Sequence, residues 1–382
     1  MNSMWTRRSF LSLSAATVVA ASLPAEAAPK DNFVYMGCTA HGPGDGIHVA
    51  RWHAETGTLS DLRVAFAAAS PGFLAISKRP GPRFLFSGHQ TAPKVGGLSS
   101  FRIEASGDLH PLNTITAPNA DFVHLALDHT ERCLIAPNYG SGTVLSCKVG
   151  SDGRLSDFVS KIQLTGHGPI ASRQTAPHAH GVAISPDNRF VLINDLGTDR
   201  IMIYKLNAAT AELTPNDPPY FTAAPGSGPR HLTFHPNGRW AYSINELDST
   251  ITQMHWSAKT GALTAVSSVP TLPPGGDVVN NRAGEVVIDA SGRLLYGCNR
   301  GAVEELLTFA IGSEGRLTLL GRTPLDGKEA RHFTLSPDEK YLLVAKQFSD
   351  QVSIFARDRK TGTLTQTSAR YSVPGASCVL FG

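Results

Sequence analysis

From Phe33 onward the chain repeats one pattern: a short apolar run, a polar turn, and a second apolar run whose side chains alternate. The clearest copy is GPRHLTFHPNGRWAYSINELD, from Gly228 to Asp248. There LTF and WAYSI flank a turn tipped by Asn237-Gly238, a pair that accepts the positive φ angles of a tight hairpin. The start of the first strand and the end of the second then lie at the same end of the hairpin. Arg230 and Glu246 are therefore expected side by side, far from the turn.

The residues that close each second strand are Gly88, Asn138, Asp195, Asn245, Asn299 and Lys346, spaced roughly 50 residues apart. A third apolar run follows each (LSSFRI, TVLSCKV, RIMIYKL, ITQMHW, ELLTFAI, QVSIFAR), and glycine turns such as Asp152-Gly153, Thr260-Gly261 and Thr361-Gly362 lead into a fourth. A period of this length with four short strands per unit predicts an all-β fold, a seven-bladed β-propeller of four-stranded blades. The first unit, beginning at Phe33, lacks its opening strand, and the chain ends on a lone apolar run, ASCVLFG. Donating that run to the first unit closes the ring and leaves no open sheet edge.

Composition agrees with this reading. The 382 residues are 41% hydrophobic, with 36 Gly and 25 Pro, which suits many short strands joined by turns. The formal charge of +3 comes with no basic stripe interleaved with aromatics, so nucleic acid is not an implied partner. Cys38, Cys133, Cys147, Cys298 and Cys378 show no CxxC spacing and read as buried strand residues rather than a zinc or disulfide framework. Residues 1–27 read as an export signal: Arg7-Arg8-Ser9-Phe10-Leu11, a mild apolar run, then Ala25-Glu26-Ala27 as the cleavage pattern. The paired arginines resemble a twin-arginine signal, making the export machinery a partner and the periplasm, or the medium, the destination. The run is too short and too rich in Ser and Thr for a membrane anchor, since a span needs ~20 apolar residues. Residues 28–382 then form one propeller domain.

In a blade the first strand lines the central channel and the second returns beside it. Aligning the turns SPDN, HPNG and SPDE puts His180, Arg230 and Arg331 at one strand position in three units; just past the second strands come His89, Tyr139, Glu246 and Arg300. His180, Arg230, Glu246, Arg300 and Arg331 are expected to converge on one mouth as an anion-binding, acid/base constellation. Arg230 and Glu246 as a purely structural ion pair is the plainer alternative. His178 and His180 in PHAHG lack a third ligand at useful spacing, so no metal or other cofactor is implied. Gly42-Pro43-Gly44-Asp45-Gly46 reads as a long loop in the first unit, and no GxSxG, HExxH or P-loop pattern occurs.

The segments PHAHGVAISPDNRFVLINDLGTDRI, GPRHLTFHPNGRWAYSINELDSTIT, GEVVIDASGRLLYGCNRG and RHFTLSPDEKYLLVAKQFSDQVSIF resemble the seven-bladed propeller lactonase family. That family includes the propeller type of 6-phosphogluconolactonase and the fungal 3-carboxy-cis,cis-muconate lactonizing enzyme. By motif, the family's functional histidine falls in PHAHG, at His180 by the register or else at His178, and its arginines and glutamate fall on Arg230, Arg300 and Glu246. His89, Tyr139, His178, Asn245 and Arg331 complete the expected substrate-binding set. The chain departs from the family at FLFSGHQ, where an Asn-Glu pair is common, and at NRGAVEELLTF beside Arg300. The resemblance implies a lactone or carboxylate substrate. Export makes an unphosphorylated sugar lactone the expected one, with 6-phosphogluconolactone, a muconate-type cyclisation, a non-catalytic envelope propeller and a cofactor-bearing dehydrogenase as alternatives.

Overall fold

The computed structural model describes residues 33–39, 44–92 and 94–382. Residues 1–27, expected to be an export signal, and the first part of the Gly42–Gly46 loop lie outside the described residues.

The described residues form seven four-stranded antiparallel sheets. Their innermost strands touch one another in order around a ring, so the fold is the propeller that the period predicts. Blade one is assembled from both chain ends. Ala376–Phe381 is its innermost strand and pairs antiparallel with Phe33–Cys38, placing Tyr35 opposite Leu380. Val34, Met36, Ala376 and Val379 pack with Leu343, Val352 and Ile354 of blade seven in one buried cluster, so the closure is hydrophobic as well as hydrogen-bonded. The five cysteines are buried thiols.

The glycine turns have a packing role between blades. A Cβ on Gly153 would lie 2.3 Å from the Phe84 ring of the preceding blade, and one on Gly261 would lie 2.4 Å from Phe190. Each turn thus rests on the residue that opens the second strand next door, and an aromatic ring buried this way contributes about 1.5–3 kcal/mol. Blade four shows the rule by its exception. Its turn carries Ala211 at φ +63°, and the neighbouring second strand opens with the small Cys133, in the same buried cluster.

One backbone irregularity positions the site. In blade four Ala179 pairs with Asp195 and Gly181 with Asn194, which leaves His180 as an extra residue between them. The same slip isolates Arg230 in blade five and Arg331 in blade seven. A bulge of this kind re-aims one side chain and turns the strand, and here it recurs at the channel end of three inner strands. Gly181 follows the first bulge because nothing larger fits: a Cβ there would sit 2.3 Å from the Arg230 carbonyl oxygen.

Candidate active site

Two of the three bulges, at His180 and Arg331, open onto a cavity of about 420 Å³ lined by Tyr139, His180, Glu246, Arg300, Arg331 and Asp121, among others. Its organising feature is a chain of ion pairs. Glu246 accepts from Arg173 Nη2 at 2.6 Å and from Arg300 Nη2 at 2.6 Å, and Arg230 Nε lies 3.2 Å away. Arg300 continues to Glu329, which also takes Arg282 Nη2 at 2.7 Å. Four arginines therefore share two carboxylates, and the network keeps an excess of positive charge.

Burial sets how these groups ionise. It would raise the Glu246 carboxyl, but Arg300, Arg230 and Arg173 together outweigh it and hold the group at about 2. Arg230 is 2% exposed; burial, then the nearby Arg300, lower it to about 9, with Glu246 opposing. The buried His180 is pushed well below the usual histidine range by burial, then by Arg230, His231, Arg331 and Arg300. It is a neutral imidazole at physiological pH. Its Nδ1 is buried with no hydrogen-bond partner, leaving Nε2 as the nitrogen available to the cavity.

Beneath His180 lies a floor of aromatic and imidazole rings. His231 stacks edge-on to His180 at 5.0 Å between centroids and to His124 at 4.5 Å, and its Nδ1 lies 2.9 Å from a Glu285 oxygen. His332 packs edge-on against Phe73. Burial lowers the pKa of all three floor histidines. Among the described residues no cluster of three or more His, Cys, Asp or Glu side chains is arranged to hold a metal ion.

A family model described as lactonase, 7-bladed beta-propeller, matches residues 33–381. The chain belongs to this family. It is 30% identical over 350 residues to 6-phosphogluconolactonase of Bacillus subtilis, covering 91% of this chain and 97% of that one. Among solved structures, a putative 6-phosphogluconolactonase from Bacteroides fragilis superposes with a TM-score of 0.85 at 31% identity, covering 92% of this chain and 98% of that one. The periplasmic gluconolactonase of Pseudomonas aeruginosa superposes with a TM-score of 0.84 at 30% identity, again covering 92% and 98%.

In this propeller lactonase His180, Glu246, Arg300, Arg331 and Tyr139 line one cavity, while Arg230, expected among them, is not a lining residue and adjoins the site through Glu246, 3.2 Å from its Nε. Three expected substrate contacts lie elsewhere. Asn245 is turned into its own blade, donating to Thr250 and Thr252 hydroxyls at 2.9 Å each. His178 stands behind the wall, stacked on Tyr139 at 4.4 Å with its Nδ1 3.0 Å from the Tyr139 carbonyl oxygen. His89 lines a smaller neighbouring pocket. Position in the repeat does not fix which way a side chain points.

Four charged lining residues escaped the sequence reading: Asp121, Arg173, Arg282 and Glu329. Arg282 pairs with Arg300 across the first two strands of blade six, but aligning that hairpin on its turn puts Gly284 at the position of His180 and Arg230 and leaves Arg282 two residues ahead of it. Glu329 lies two residues before Arg331, at the same offset from the aligned position as Arg282. Arg173 sits in the long connection between Gln163 and Ala179, where no period applies. Asp121 precedes an inner strand only two residues long, Ala126–Leu127, the least regular of the seven.

Proposed function

We propose that this chain is an exported lactonase that hydrolyses an unphosphorylated sugar lactone to its hydroxy acid. The family match and the relatives named 6-phosphogluconolactonase support lactone hydrolysis. Export rests on the paired arginines and A-x-A pattern of residues 1–27, and sugar phosphates are cytosolic metabolites, which favours an unphosphorylated substrate. The periplasmic gluconolactonase among the structural neighbours fits the same picture.

The observation that carries the chemistry is a neutral histidine at a cavity with surplus positive charge. Lactone opening needs a water stripped of a proton and a counter-charge for the oxyanion. The arginine network is held rigid by Glu246 and Glu329, so its field is in place before reaction and costs no reorganisation. His180 takes the proton from the attacking water. No carboxylate backs its Nδ1, and the arginines oppose its protonation, so in the resting site it is a weak base. Negative charge growing on the lactone oxygens offsets those arginines and raises the imidazole's proton affinity as the bond forms. Base and oxyanion stabiliser are thereby coupled through one set of charges. Glu246, ionised and saturated by arginines, orients them rather than accepting the proton.

The test is proton release by the purified mature protein on a panel of aldonolactones, 6-phosphogluconolactone and carboxymuconates. Hydrolysis of an aldonolactone well above its spontaneous rate, lost in His180→Ala and strongly reduced in Arg230→Ala, is expected. Full turnover in Arg230→Ala alongside none in His180→Ala would remove the electrostatic half of the proposal.

A further inference from the structure

The main cavity continues past Arg331. A side pocket of about 50 Å³ opens beyond it and shares Asp121, Val123 and Arg331 with the larger space. Asp121 and Arg331 form the partition between the two. They differ from every other charged pair at the site.

Arg331 makes no ion pair among the described residues; its Nη1 lies 3.3 Å from Gln347 Oε1. Asp121 is fixed through its backbone, its N–H donating to Asn138 Oδ1 at 2.8 Å and its carbonyl accepting from Tyr139 N–H at 2.9 Å. Its carboxylate has no hydrogen-bond partner among the described residues. The two charges are near enough to bias each other's ionisation, yet they do not meet as an ion pair. His89 also lines the side pocket, and its Nδ1 is buried and unpartnered.

A group seated between Asp121 and Arg331 must donate to a carboxylate and accept from a guanidinium. A sugar hydroxyl does both, whereas a phosphate at neutral pH is rich in acceptors and brings like charge against Asp121. The side pocket holds only a few non-hydrogen atoms, the size of a hydroxymethyl or a short polyol end. We infer that Asp121, set against Arg331, is the specificity element of this site: it selects a neutral hydroxylated tail on the lactone and rejects a phosphorylated one. The inference rests on the lactonase reading and sharpens it, since arginines alone at this position would welcome a phosphate.

The experiment compares kcat/KM for glucono-δ-lactone and 6-phosphogluconolactone in the wild type, Asp121→Asn and Asp121→Ser. Both variants remove the charge, and Ser also shortens the side chain; melting curves report whether each folds. The wild type is expected to prefer the unphosphorylated lactone. Each variant should shift the ratio toward the phosphorylated one by about tenfold or more, the scale of removing a close like-charge contact. A ratio unchanged in both folded variants overturns the inference and leaves the lactonase reading standing. Failure of the wild type to hydrolyse either lactone overturns the reading and the inference together.

Discussion

The two walls of the cavity are built on opposite rules. On the side of blades four to six, every arginine is tied to Glu246 or Glu329, and those carboxylates are nearly fully buried. On the side of blades two, three and seven, Asp121, Arg331 and His89 carry charge or polarity with few partners. A saturated network is rigid and has little left to offer a ligand; groups with unused donors and acceptors are the ones a ligand can satisfy. The contrast assigns one wall to holding the catalytic field and the other to choosing the substrate. Each wall should then fail differently when it is altered.

The largest effect is expected from Glu246→Ala, which strands Arg173, Arg230 and Arg300 around a missing carboxylate. Breaking a buried charge network by removing one partner costs about 3–5 kcal/mol, so chemical denaturation should show a large loss of stability together with loss of turnover. His180→Ala should cost less stability than Glu246→Ala, only the loss of a buried ring's packing, while lowering kcat by about 10²–10⁴, the usual contribution of a positioned general base. If the two variants lost stability equally, the division between scaffold and chemistry would not hold.

Acid should act on the scaffold next. His124, His180, His231 and His332 are all held below the usual 6.5 by burial. An unfolded chain takes up protons at these residues near pH 6.5 that the folded chain refuses, so stability falls as pH drops below that value and gains nothing more above it. Glu246 acts in the same direction at lower pH. Its folded value of about 2 against the usual 4.5 supplies stability above 4.5 that is lost as pH falls toward 2. Melting temperature measured from pH 8 to 4 should be flat at the top and decline from about pH 6.5 downward. Turnover limited by His180 should persist to lower pH than an ordinary histidine would allow.

A smaller loss, about 1–3 kcal/mol, is expected for Gly153→Ala, which drives a methyl into the Phe84 ring in a turn remote from the cavity. Its kcat should be unchanged. Least of all in stability is Arg331→Gln, expected to melt close to wild type because it breaks no ion pair, while raising KM by about tenfold through loss of a charged contact to substrate. A rise in KM of the same size from Gly153→Ala would blur the separation of scaffold from site.

The repeat made much of this legible before any coordinates. HPNG and SPDN mark hairpins by turn chemistry, and the missing first strand of blade one could be matched with ASCVLFG because an apolar run at a chain end has to pair with something. Convergence of His180, Glu246, Arg300 and Arg331 followed from hairpin geometry alone. What the repeat could not convey is how the bulges at His180, Arg230 and Arg331 aim their side chains, since a pattern of period two says nothing about an extra residue. It also could not reach Arg173, which lies on a connection outside the blades, or Asp121, beside an inner strand too short to recognise. Asn245 shows the converse: a polar residue in the expected place that spends its hydrogen bonds on its own sheet.

The most direct measurement is the initial rate of proton release from glucono-δ-lactone at pH 7 by the mature wild type and by His180→Ala, each shown to be folded. The account predicts rapid hydrolysis by the first and a rate near the spontaneous one for the second. Equal rates from the two proteins would contradict it.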